Sequence, residues 1–346
     1  MTAILKQHNK MNKILGILAI VVLFSCNNGG TNFKKDPTLV KLKIIDTTFF
    51  QPSRLTSLNK SLLFLDNGED FLIHLYDPSN KKRLYDGYHV GRGPNEILAP
   101  VSIQVTQENI FWIHDGVLQQ FHKFLLIGDS IKVLEKIKFN SLRILYPNFI
   151  SDSTLIALNI LESSKGWVIK IDAKGNYLGQ LVSFPANKLN YPENILTESY
   201  QGKLLVKPGG EKFVLACRYS DLLSIYDNQG GLVSTYRTKY PFDPIMKVST
   251  VGQDLVMGQD DDTMIGFTDI SVSKNFIFAV FSGKSRKEPN PTISNTILQF
   301  NWDGKLLNSF LVDLPISNIC WSESDNALYM IALKNGYNCL ARMSIN

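Results

Sequence analysis

The feature that most restricts this chain is a unit that recurs along it: an apolar run, an Asp or Asn, a Gly-containing turn and a second apolar run. Three copies are clear: WVIKIDAKGNYLGQLV (Trp167–Val182), LLSIYDNQGGLVSTYR (Leu222–Arg237) and ILQFNWDGKLLNSFLV (Ile297–Val312). Weaker copies are FLIHLYDPSNKKRLYDGYHV (Phe71–Val90), LQQFHKFLLIGDSIKVLEKIKF (Leu118–Phe139) and YNCLARMSIN (Tyr337–Asn346). Each reads as a β-hairpin, because Asp accepts the turn's backbone N–H groups and Gly occupies the positive-φ position. Further apolar runs precede the hairpins, such as FVLAC before LLSIY and IFAVF before TILQF, so one unit holds about four strands.

Taking Asp77, His122, Asp172, Asp227, Trp302 and Met343 as equivalent positions gives intervals of 45, 50, 55, 75 and 41 residues. Six four-stranded antiparallel units at that spacing predict an all-β, six-bladed β-propeller, whose blades run roughly 40–50 residues. A seven-bladed ring and a pair of β-sandwiches are the competing arrangements. The wide interval predicts an insertion within Tyr240–Met264, a stretch poor in paired strands. The last unit stops after its third strand, while LVKLKII (Leu39–Ile45) has no earlier strand to pair with. Pairing residues 39–45 with the C-terminal blade closes the ring and removes both exposed edges. The expected division is a signal segment at 1–25, a flexible tether at 26–38 and the propeller at 39–346.

The signal segment follows from charge and length. Lys6, Lys10 and Lys13 precede the uninterrupted run ILGILAIVVLF, residues 14–24. That pattern is an export signal, and the run is too short for a helix spanning the bilayer, which needs about 20 residues. It ends in Leu23-Phe24-Ser25-Cys26, which resembles the lipobox of bacterial lipoproteins. The resemblance implies cleavage before Cys26 and lipid on its thiol, so the expected partner is a membrane, reached through that lipid. Asn27 to Asn32 is small and polar and reads as a tether. No dense acidic cluster follows the cysteine, so the expected location is the outer membrane facing the periplasm, with surface exposure left open.

Charge excludes one class of partner. Loss of the three signal lysines takes the formal charge from +5 to +2, and no concentrated basic face remains for nucleic acid. Past Cys26 only Cys217, Cys320 and Cys339 remain, with no C-x-x-C, so neither a zinc site nor a disulfide framework is expected. A single Cys320–Cys339 bridge is compatible with an oxidising compartment.

Gly91-Arg92-Gly93-Pro94-Asn95-Glu96-Ile97, with Pro100, Ile103, Val105, Ile110, Trp112, Asp115 and Phe121 after it, resembles one blade of the NHL-type and TolB-like propellers. Asn95 and Ile97 depart from that family's Gly and Phe. With the lipobox, the whole chain resembles the six-bladed propeller lipoproteins of Bacteroidota. The resemblance implies the fold and supplies no activity.

Candidate chemistry is sparse. Arg92 and Glu96 are the candidate ligand contacts, although a G-x-G-P loop with no Lys-Ser/Thr ending and no following helix also suits an inter-blade turn. Asp260, Asp261 and Asp262 form the densest acidic cluster. Ca²⁺ is conceivable there, but the spacing lacks a Gly-punctuated D-x-D-x-D-G, and no cofactor is expected. His74, His89, His114 and His122 show no metal-binding spacing, and no G-x-S-x-G elbow appears. Trp112, Trp167, Trp302 and Trp321 are expected to pack between blades, and Lys284 to Pro291 to be a solvated loop. The expectation is a tethered, non-enzymatic binding module for an envelope protein, small molecule or glycan. The competing expectation is a metal-dependent hydrolase of the propeller-lactonase kind.

Overall fold

The computed structural model describes residues 37–47, 52–66, 68 and 70–345. The signal segment, Cys26 and the tether up to residue 36 lie outside the described residues. Blades 1 to 4 are separate four-stranded antiparallel sheets covering 52–87, 100–138, 144–182 and 202–236, each with its strands in sequence order. Blades 5 and 6 share one 17-residue strand, Leu306–Ser322. Its first half is the outer strand of blade 5, and its second half is the inner strand of blade 6.

The ring closes where the sequence predicts. Tyr337–Ser344 is the third strand of blade 6, and the fourth is Lys43–Asp46, with Lys43 opposite Arg342 and Ile44 opposite Ala341. Just upstream, Thr38–Val40 runs parallel to Phe310–Val312 of blade 5. Leu42 N donates to Asp313 Oδ1 at 2.8 Å between these two contacts. The N-terminal segment therefore fastens both of the last two blades.

Among the described residues the apolar core is divided into seven clusters, six of them held between two neighbouring blades and the seventh, Tyr219, Met246 and Ile265, beside the inserted segment. Leu63, Ile73, Phe111 and Phe124 fill the space between blades 1 and 2, for example, and Leu62, Phe64, Tyr329 and Leu340 that between blades 6 and 1. A sheet covered on both faces needs apolar residues on both. The second strands of blades 1 to 4 accordingly show one shared pattern, a half-buried residue and then five buried ones. Each large side chain so buried contributes roughly 1.5–3 kcal/mol. The four tryptophans lie in four of these clusters, as expected.

The Asp turns form as the sequence predicts. Asp172 Oδ1 accepts from Lys174 N at 2.9 Å and Asn176 N at 2.8 Å. Asp227 Oδ1 accepts from Gln229 N at 2.9 Å and Gly231 N at 2.8 Å. Gly175 and Gly230 hold φ of 88° and 86°, and a second constraint acts on them. A Cβ on Gly175 would lie 1.9 Å from Lys138 O, and one on Gly230 2.3 Å from Leu181 O. Each turn thus abuts the outer strand of the preceding blade, where no side chain fits.

Two expectations need adjusting. His122 lies near the start of Gln120–Ile127, with the turn at Gly128, whereas the other five equivalent positions lie at or within one residue of a strand end. The insertion falls in the expected stretch but contains a paired hairpin, Lys247–Val251 with Asp254–Gly258. Among the described residues the one α-helix, α1 (Glu193–Ser199), lies in the connection between blades 3 and 4. Cys217, Cys320 and Cys339 are buried free thiols, and burial pushes each above its ordinary pKa. Cys320 and Cys339 belong to different core clusters.

Candidate functional site

The inner strands of all six blades line a central cavity of about 930 Å³. The inner edge of each sheet has no further strand to satisfy its backbone N–H and C=O groups. Side chains do so instead, each reaching across to the next blade. Arg54 donates to Val101 O, Gln104 to Phe149 O at 3.1 Å, and Asn148 to Leu204 O at 3.1 Å. Lys203 pairs with Asp269, which accepts from Ile319 N at 2.8 Å. Asn318 donates to Ser53 O at 3.3 Å and completes the circuit. One polar girdle therefore joins all six blade interfaces, and Arg54, Gln104, Asn148, Lys203, Asp269 and Asn318 all line the cavity.

The two halves of the wall differ. Across blades 4 to 6 the charges compensate: the Lys203 and Asp269 side chains are 15% and 9% exposed and paired. Ser271 Oγ next to them accepts from Trp321 N at 2.8 Å. Across blades 1 to 3 the balance is open. Arg54 spends Nε and Nη1 on the carbonyls of Val101 and Ser53 and has no ion-pair partner among the described residues. Ser102 lines the cavity, is 6% exposed, and its hydroxyl has no hydrogen-bond partner. Opposite it across the strand pair is His114, fully buried, with both ring nitrogens unpartnered. His114 makes edge contacts with Phe121 and Phe139 at 6.4 and 5.9 Å. Burial pushes its pKa down to about 3, so the ring is neutral at physiological pH.

The cavity lining also includes Ile110, Trp112 and Lys123 from the second and third strands of blade 2, and Phe149 from the inner strand of blade 3. The Trp112 and Phe149 rings lie 5.0 Å apart, and Lys123 Nζ sits 5.4 Å from the Trp112 centroid. A cavity lined by polar side chains together with such aromatic ones suits a small ligand with both hydrophilic and apolar parts.

The residues nominated from sequence lie elsewhere. Glu96 Oε2 accepts from Gly93 N at 2.7 Å, and Gly91 N donates to Ile97 O at 3.2 Å, so the loop closes on itself. Arg92 is exposed, and neither Arg92 nor Glu96 borders the cavity. Asp260, Asp261 and Asp262 are also exposed. Asp260 Oδ1 accepts from Asp262 N at 3.1 Å, and Asp262 pairs with Lys287 at 2.8 Å. That ammonium holds the Asp262 carboxyl below its usual range. Among the described residues no three His, Cys, Asp or Glu side chains are placed to hold a metal ion. His74 is held between Asp86 and the carbonyl of Phe71. Sequence reasoning missed the girdle, whose members share neither residue type nor a local motif.

Structures of known proteins agree on the fold. The chain resembles a crystal structure of a DUF4221 family member from Bacteroides vulgatus, with a TM-score of 0.59 and 12% identity over 87% of this chain and 94% of that one. It also resembles the structure of U3-55K, with a TM-score of 0.53 and 8% identity over 89% of this chain and all of that one. At such identities the likeness concerns fold alone. No curated protein matches the chain in sequence. The model of the TolB-like 6-blade propeller-like family matches residues 32–324. With six blades counted in the structure and most of its length matched, the chain belongs to the TolB-like six-bladed propeller family.

Proposed function

We propose that this protein is a lipid-tethered binding module of the cell envelope whose ligand occupies the central cavity. The observation that carries the reading is the cavity itself, about 930 Å³ and bordered by polar side chains from all six blades. A packed apolar core leaves no such space, and here the core lies between the blades. The tether rests on Cys26 and the residues before it. Among the described residues no helix is long and apolar enough to cross a membrane.

Two measurements test the proposal. Cell fractionation is expected to find the native chain with membranes and the Cys26→Ser variant in the soluble fraction; an unchanged distribution removes the tether. Native mass spectrometry of the purified protein is expected to show a bound small molecule that is reduced or absent in Thr56→Trp, which narrows the cavity. Absence of any ligand, together with no thermal stabilisation across a panel of envelope metabolites, overturns the cavity reading.

A further inference from the structure

The inserted hairpin, Lys247–Val251 with Asp254–Gly258, is a sheet of only two strands, a size that is marginal by itself. It is nevertheless firmly rooted. Arg237 pairs with the buried Asp221 and with Asp243, and the Tyr191 hydroxyl accepts from Met246 N at 2.7 Å. On its Asp254–Gly258 side, Asn194 Nδ2 of α1 donates to Leu255 O at 2.6 Å. The outer side of Lys247–Val251 has no strand against it among the described residues. The turn consists of Gly252 and Gln253, so Val251 and Asp254 form a hydrogen-bonded pair, and alternation makes Ser249–Val256 and Lys247–Gly258 the next two. The N–H and C=O groups of Val248 and Thr250 therefore point outward, as the Leu255 carbonyl does on the opposite edge. Edges are usually kept from pairing by a proline, a bulge or inward charges. This strand has neither proline nor bulge, and its one charge, Lys247, stands at its end. Val248, Val251 and Leu255 are exposed beside it.

We propose that Lys247–Val251 pairs antiparallel with the same strand of a second copy of this chain, about a twofold axis at Ser249, so that two hairpins become one four-stranded sheet. The register follows from the free edge. Val248 lies opposite Thr250 of the second copy, and each of the two such pairs exchanges two hydrogen bonds, four in all. The charges fit the same register. Asp254 stands opposite Val251 within one hairpin, and Lys247 of the second copy continues that row. Lys247 and Asp254 are both exposed and have no ion-pair partner among the described residues. Two strand spacings, about 10 Å, separate them, and a lysine stem laid over Val251 bridges that gap while covering a side chain that is 65% exposed. The twofold axis makes the ion pair twice.

Sedimentation velocity of the full chain, with every variant in the same mild detergent, tests the pairing. A dimer is expected whose fraction rises between about 1 and 100 µM, the range of a small interface. Thr250→Pro removes an outward N–H and spares the hairpin's own hydrogen bonds, and it is expected to abolish the dimer. Lys247→Glu and Asp254→Lys are each expected to weaken it about fivefold, and the double variant to restore it. Leu232→Lys, on the outer strand of blade 4, is expected to leave it intact. A monomer at every concentration overturns the proposal, as does a dimer that Thr250→Pro leaves unchanged. If Thr250→Pro fails to fold, the charge pair decides. Single variants that associate as well as the native chain, or a double variant no stronger than the singles, overturn the pairing. Loss of the dimer in Leu232→Lys alone also overturns it and moves the contact to blade 4.

Discussion

The two halves of the channel wall use similar residues to opposite ends. Across blades 4 to 6, Lys203, Asp269 and Ser271 are satisfied by one another and by the next strand. Among the described residues of blades 1 to 3, Arg54 has no ion-pair partner and Ser102 Oγ no hydrogen-bond partner, nor has His114 behind the wall, and in blade 6 the Nε1 of the cavity-lining Trp321 is unpartnered as well. Polar residues at the centre of a ring can thus serve as fasteners or as vacant contacts. Which of the two they are depends on whether their hydrogen-bonding capacity is used up internally, since capacity left over in a buried wall is unfavourable until something fills it.

The sharpest way to break the contrast is to remove the fastener. Asp269→Ala strips Lys203 of its partner and Ile319 N of its acceptor in a buried setting, and a loss of about 3–5 kcal/mol is expected by urea unfolding. A loss near 1 kcal/mol would mean that water takes over and the halves are alike. Gln104→Ala comes next. It leaves both backbone groups of Phe149 without partners, and a loss of about 2 kcal/mol is expected.

The third prediction concerns His114 and pH. Its folded pKa of about 3 lies below the ordinary 6.5, so between those values the unfolded chain binds the extra proton. Stability is fully present above pH 6.5 and declines on acidification by roughly 1.4 kcal/mol per pH unit. Tm measured from pH 7 to pH 4 should therefore fall more steeply for the native chain than for His114→Phe. Parallel curves would show that the site is hydrated and not dry.

Local chemistry made much of the fold legible. Asp172 and Asp227 sit within four residues of the amides they cap, and the unpaired run at Leu39–Ile45 signals a missing partner strand. Other features depend on contacts that no local pattern encodes. Gly175 is needed for its turn, which the sequence shows, and for the closeness of Lys138 O, which it does not. The hairpin at 247–258 escaped because Val248, Val251 and Leu255 are exposed, so no buried face imposes alternation. Arg92, conspicuous in a glycine-rich motif, and Asp260–Asp262, conspicuous as an acidic cluster, lie on self-contained loops. Arg54, Ser102 and His114 occupy three different strands with no motif among them, and only the closed ring shows that their capacity goes unused.

Closure by the N-terminal segment also sets an order of events. Leu42 and Asp313 are 271 positions apart, and the strand that completes blade 6 is among the first made while its partner is among the last. At roughly 5–20 residues per second, the early strand waits on the order of 15–60 s before its partner exists, and until then its own edge is unpaired. Until the ring closes, that edge can pair with a neighbouring chain. A shortened chain lacking Tyr337–Ser344 would keep five blades' worth of sequence but no latch, and its failure would take the form of self-association.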